Sequence, residues 1–139
     1  MNVLVAYQSR GGHTRKVAEA IATAVKAQGH HVVVKPVSEV HTVDVQTANA
    51  LFIGTWVQGL ILFGVRPAGA SRWVPGLPAL KGKPIGVFCT YDFNPRGALH
   101  ALATMLQGQG ANILGERAFR GSNPVDGAEQ FVESVLKVA

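Results

Sequence analysis

The stretch Tyr7-Gln8-Ser9-Arg10-Gly11-Gly12-His13-Thr14 concentrates residue types that suit an anion. Gly11 and Gly12 let backbone N–H groups approach a ligand without a Cβ in the way, and Ser9 and Thr14 add hydroxyls. A helix starting at Thr14 would aim its unpaired first-turn donors and partial positive charge at the same place. Together these groups make a phosphate cradle. The same residues also suit a plain glycine turn with a Ser or Thr helix cap, and the stretch alone does not choose between the two. Gly-x-x-x-x-Gly-Lys-Ser/Thr and Gly-x-Gly-x-x-Gly are both absent, which excludes a nucleoside-triphosphate loop and a standard dinucleotide turn.

Other reactive side chains are sparse. Cys89 is the only cysteine, so neither an intramolecular disulfide nor a thiolate metal cluster can form. Cys89 to Arg96 is one residue longer than the Cys-x5-Arg of small phosphatases, and a buried, inert thiol is the simpler reading. His30 and His31 point to opposite faces of a strand, while His13, His41 and His100 lack ligand spacing, so no metal site is expected. Asp92 and Glu116 have no sequence partner for acid–base work, and a turn or ion-pair role suits both. No catalytic set of serine, histidine and acid is placed at strand ends.

The elements that would carry the cradle follow from periodicity. Residues 2–6 read as a strand, and Val17, Ala18, Ile21, Ala22 and Val25 recur with helical spacing over 14–28, with Gly29 as the stop. A second strand spans 31–35, and the helix expected within 36–49 is short or missing. Continuously apolar runs at 50–54 and 84–89 suit strands buried on both faces of a parallel sheet, and 112–118 reads as a further strand. A helix is expected over 95–108, and a last one begins at Ser122-Asn123-Pro124. This alternation predicts a doubly wound α/β fold, a five-stranded parallel sheet with helices on both faces. Ligands in such sheets sit beyond the carboxyl ends of the strands, which singles out 7–14, the loop after Gly54 and the loop after Cys89.

The loop after Gly54 is long: Thr55 to Leu80 holds four glycines and three prolines, and a connection of that length is expected to carry function. Its apolar run Trp56 to Gly64 is followed by Arg66-Pro67 and Arg72-Trp73. Part of it reads as a third helix docking on the sheet, and the remainder as a ligand wall or partner surface.

At 139 residues and 47% hydrophobic content, residues 1–139 are expected to form a single domain with ample core. No run approaches the roughly 20 apolar residues of a membrane helix, and no leader pattern opens the chain, so a cytoplasmic protein without membrane attachment is expected. Thirteen Lys and Arg against eight Asp and Glu give a net charge of +5, which favours anionic ligands. The basic residues are scattered without interleaved aromatics, and nucleic-acid binding is not expected.

Three segments together resemble the flavodoxin-like family of FMN-binding proteins, and the likeness covers nearly the whole chain. They are Tyr7-x-Ser9-x-x-Gly12-x-Thr14, Gly54-Thr55-Trp56 and Cys89-Thr90-Tyr91-Asp92. The resemblance implies strand order 2-1-3-4-5 and FMN as cofactor. It implies that Ser9, Gly11, Gly12, His13 and Thr14 hold the phosphate, with Arg10 nearby. Trp56 and Tyr91 would sandwich the isoalloxazine, and the Val57-Gln58-Gly59 backbone would lie near its reactive edge. Thr55, Thr90 and Asp92 complete the implied cofactor set. The chain departs from the acidic pattern of most flavodoxins, because its ring loops bring Arg66 and Arg96. A fixed cation about 10 Å from the ring, at an effective dielectric near 20, favours anionic reduced flavin by roughly 1.7 kcal/mol before salt screening.

Two functions are consistent with these features. In one, the chain passes electrons to and from a redox partner protein through non-covalently bound FMN, as a carrier or a small reductase. In the other, it is a flavodoxin-shaped binding or regulatory module without tightly held flavin, docking a partner through its long basic and apolar loop. The aromatic pair favours the first, and the basicity and loop length favour the second. The sequence does not give the oligomeric state.

Overall fold

The computed structural model of the protein describes residues 1–58, 66–92, 94–95, 97–123 and 125–139, with backbone only at Gln58 and Arg66. Strand β1 (Asn2–Tyr7) runs into helix α1 (His13–Ala27) and strand β2 (His31–Pro36). A single 3-10 turn at Val37–Glu39 leads to helix α2 (Thr42–Thr47) and strand β3 (Ala50–Gln58). Then come β4 (Arg66–Pro67), α3 (Ala70–Gly76), β5 (Pro84–Tyr91), α4 (Ala98–Gly108), β6 (Asn112–Arg120) and α5 (Ala128–Leu136). Five parallel strands lie in the order β2-β1-β3-β5-β6, and β4 adds a short antiparallel pairing to the end of β3. Counting the parallel strands along the chain, this is the expected order 2-1-3-4-5. The order reverses between β1 and β3.

Period-two alternation along the buried strands divides the core into two layers. Val3 and Val5 of β1, Phe52 of β3 and Phe88 of β5 face α1 and α5, where they meet Val17, Ile21, Val25, Phe131 and Val135. Leu4 and Ala6, Leu51 and Ile53, and Ile85 and Val87 face the other side, against Val45 of α2, Val74 of α3 and Leu102 and Leu106 of α4. On the first face two rings fill the space left by glycines across the strand pair. Phe52 is in register with Gly86 and Gly54 with Phe88. A Cβ on Gly54 would lie 2.3 Å from the Phe88 ring, and one on Gly86 would lie 2.9 Å from the Phe52 ring. Phe52, Phe131, Phe119 and Phe88 then continue edge to face, with centroids 5.4, 6.0 and 6.4 Å apart in succession.

Several boundaries differ from the sequence reading. Strand β3 runs four residues past Gly54 because its end gains a partner, Val57 pairing with Pro67 and Gln58 with Arg66. The residues after that return form the expected third helix, α3, which buries Ala70 and Val74. The last helix starts at Ala128 instead of Ser122, since turns closed by Asn123 N–H to the Arg120 carbonyl and Asp126 N–H to the Asn123 carbonyl occupy the preceding segment. Helix α2 exists but spans only six residues. Its start is held by the Asp44 carboxylate, which accepts from His41 N–H at 2.8 Å and from Lys35 Nζ at 3.0 Å.

Candidate functional site at the carboxyl ends of the strands

Strand β1 delivers its last residue, Tyr7, in register with Gly54 of β3, and Gln8 N–H donates to the Gly54 carbonyl at 2.9 Å. The chain then leaves the sheet. Gly11 and Gly12 take φ values of +76° and +89°, which an L side chain rarely adopts, and a Cβ on either would meet no atom within 4 Å. Gly12 is the N-cap of α1 and has no side chain to cap the helix. Arg15 N–H reaches Ser9 Oγ at a long 3.4 Å, while the amides of Gly11, Gly12, His13 and Thr14 have no acceptor among the described residues. The result is an open concavity walled by unpaired donors at the positive end of a 15-residue helix.

Thr14 sits beneath this concavity, fully buried, with its hydroxyl 2.8 Å from that of Thr90 at the end of β5. One hydroxyl donates to the other. With Thr14 as donor, the Thr90 hydrogen is left to donate into the cleft that Thr90 lines. The pair thus fastens the first loop to the third.

Seven of the expected residues line one cleft of about 80 Å³: Arg10, His13, Trp56, Val57, Thr90, Tyr91 and Asp92. They come from three strand ends widely separated in sequence. The volume is below the roughly 300 Å³ of a small complete ligand pocket, so these residues form part of a wall and not an enclosure. The Arg10 guanidinium lies 5.7 Å from the centroid of the Trp56 ring, and the Arg120 guanidinium 5.4 Å from that of Tyr91. Thr55 turns away from the cleft: it is fully buried and donates to the Ala68 carbonyl at 3.2 Å. The Trp73 indole N–H donates to that same oxygen at 2.9 Å, and together they pin the return from β3 to α3. Gln58 contributes backbone pairing to β4, while Gly59 and Arg96 lie outside the described residues.

A fourth loop, which the sequence reading did not single out, closes on the same place. Strand β6 brings Arg120 into register with Tyr91, and Gly121 N–H donates to the Tyr91 carbonyl at 2.7 Å. A Cβ on Gly121 would lie 2.8 Å from both Asp92 Oδ1 and His13 Nδ1, so glycine lets those side chains come together there without shifting. The available signal was positional: Arg120 ends a parallel strand beside β5, at the sheet edge that ends Tyr91.

The remaining reactive groups stand apart. Cys89 is fully buried and its thiol is pushed up to about 12 by that burial, which keeps it protonated and unreactive at neutral pH. Glu116 faces His100 at 3.4 Å, on α4. A larger open hollow of about 660 Å³ lies between α1 and α5, lined by residues such as Lys16, Glu19, Asp126 and Glu129, and contains none of the candidate residues. It lacks the convergent aromatic and donor groups of the smaller cleft.

The family model of the Flavodoxin domain matches residues 4–121. Among solved structures, the two-electron reduced flavodoxin of Megasphaera elsdenii superimposes with a TM-score of 0.78 at 24% identity, over 97% of this chain and 98% of that one. The oxidised Flavodoxin 2 of Bacillus cereus gives 0.78 at 19% identity over 100% of both chains. The rubredoxin oxygen:oxidoreductase of Desulfovibrio gigas gives 0.76 at 18% identity, covering 99% of this chain but 35% of the larger protein. No curated protein sequence matches the chain.

Proposed function

Because the chain belongs to the flavodoxin domain family, we propose that it binds FMN non-covalently and passes electrons to and from a redox partner protein. The observation that carries this reading is the convergence of Arg10 and of His13, the first residue of the uncapped α1, with the Trp56 and Tyr91 rings in one cleft, beside the glycine-opened turn. Both halves of FMN find matching chemistry there. The phosphate suits the free amides of Gly11 to Thr14, the Ser9 hydroxyl, the nearby Arg10 guanidinium and the His13 imidazole. The planar ring suits two aromatic walls.

A bound flavin would supply one- and two-electron transfer. The chain's own contribution is to hold and surround it. Trp56 and Tyr91 would flank the ring and keep water from its faces, and Thr90 and Val57, which line the same cleft, would border it. Thr14 acts from below by positioning Thr90 and the start of α1. Thr55 acts by fixing the β3 end that carries Trp56.

Titrating FMN into the purified protein tests the proposal. Quenching of flavin fluorescence at micromolar concentrations is expected, with riboflavin bound more weakly because it lacks the phosphate. Absence of quenching and of flavin absorption at those concentrations would leave the second reading, a docking module without tight flavin.

A further inference from the structure

The two arginines at the cleft are not arranged as surface charges usually are. Arg10 comes from the loop after β1 and Arg120 from the end of β6, yet each guanidinium lies over one of the two aromatic walls, at 5.7 and 5.4 Å from the ring centroids. Neither is neutralised. The ion pairs among the described residues join Arg15 to Glu19, Lys35 to Asp44 and His100 to Glu116, and none includes Arg10 or Arg120. The other titratable groups lining the cleft are His13, Asp92 and Tyr91, so among the described residues Asp92 is the single carboxylate there, beside the Arg10 guanidinium and the Arg120 guanidinium over Tyr91. A ring held between Trp56 and Tyr91 would lie within about one screening length, roughly 10 Å, of both guanidinium groups.

We propose that Arg10 and Arg120 shift the cleft's preference toward its ligand ring in the anionic, reduced state and away from the neutral, oxidised one. This rests on the flavin reading and specifies how this chain treats the flavin. Oxidised flavin takes up two electrons and one proton to become an anionic reduced ring. Each fixed cation stabilises that added negative charge and leaves the neutral ring nearly unaffected. Both arginines are exposed, so the charge can be removed without disturbing the core.

The test uses the full chain with Arg10→Gln, Arg120→Gln and the charge-keeping Arg10→Lys and Arg120→Lys. Fluorescence quenching gives the dissociation constant of the oxidised form. Reductive titration with dithionite gives the bound and free midpoint potentials, and so the ratio of oxidised to reduced dissociation constants. Riboflavin is measured beside FMN so that any contact of Arg10 with the phosphate cancels. Each Gln variant is expected to lower that ratio by roughly three- to fifteenfold for both ligands, the range set by salt screening. The Lys variants are expected to keep it within about twofold. Ratios unchanged in both Gln variants that still bind flavin would overturn this inference and leave the flavin reading standing. A wild-type chain that binds no flavin would overturn both, and that is seen directly in its absorption.

Discussion

At the scale of single residues, the Thr14 and Thr90 hydroxyls join the first and third loops of the candidate site through one 2.8 Å contact between buried side chains. Removing Thr14 Oγ1 loses that hydrogen bond while Thr90 keeps its access to the cleft, and such a loss typically costs about 0.5–1.5 kcal/mol. Thr14→Val is therefore expected to lower the unfolding free energy by about that amount in a denaturant titration, and Thr14→Ser to restore most of it. The same Val variant is expected to weaken FMN more than riboflavin, because it loosens the turn that aims the α1 amides. Equal losses for the two ligands would show that the phosphate is held elsewhere.

Among the elements, α2 depends most on ionisation. At six residues it is too short to persist on propensity, and its start is held through Asp44. The His41 N–H and then the Lys35 ammonium hold the Asp44 carboxyl below its usual value of 3.8. A depressed carboxyl stabilises the folded chain above its unfolded pKa, and that contribution fades as pH falls through the lower folded one. Lowering the pH through about 4 and below is thus expected to loosen α2 first, seen as a fall in amide protection, the intrinsic exchange rate relative to the observed one at the same pH, at residues 42–47. In Asp44→Asn that protection should already be low at neutral pH and change little with acid. The β3 and β5 pair behaves differently, since it is set by shape: Phe52 over Gly86 and Phe88 over Gly54 leave no charge to titrate.

For the whole molecule, the net charge of +5 and the cations at the cleft mouth predict a ligand preference that salt weakens. Raising salt from about 10 mM to about 1 M shortens the screening length from roughly 30 to 3 Å. FMN binding is expected to weaken by roughly fivefold over that range, equivalent to about 1 kcal/mol, with riboflavin nearly unaffected. A salt effect of equal size on both ligands would show that the cleft cations do not act on the phosphate. No helix among the described residues is long and apolar enough to cross a membrane.

Much of this protein is legible in its residues because short-range physics dictates it. Alternating and continuous apolar runs, the helical stripe of Val17 to Val25 and the glycine pair after β1 specify parallel strands, α1 and a tight glycine turn between them without tertiary information. The flavodoxin resemblance of three short motifs then supplied the strand order. Other features depend on residues far apart in sequence. The extension of β3 to Gln58 needed a partner in Arg66–Pro67, and the start of α5 at Ala128 followed from turns that local periodicity does not encode. Thr14 reads as a phosphate ligand in isolation, but the fold puts Thr90 under it and turns its hydroxyl inward. Thr55 is likewise drawn away from the cleft by the Ala68 carbonyl. Arg120 and Gly121 join the site only because β6 lies beside β5, a neighbour relation set by packing both faces of the sheet at once. The sequence by itself determined which segments become strands, helices and the turns between them; the tertiary structure decided which side chains meet, because those contacts bridge strand ends that the chain separates by tens of residues.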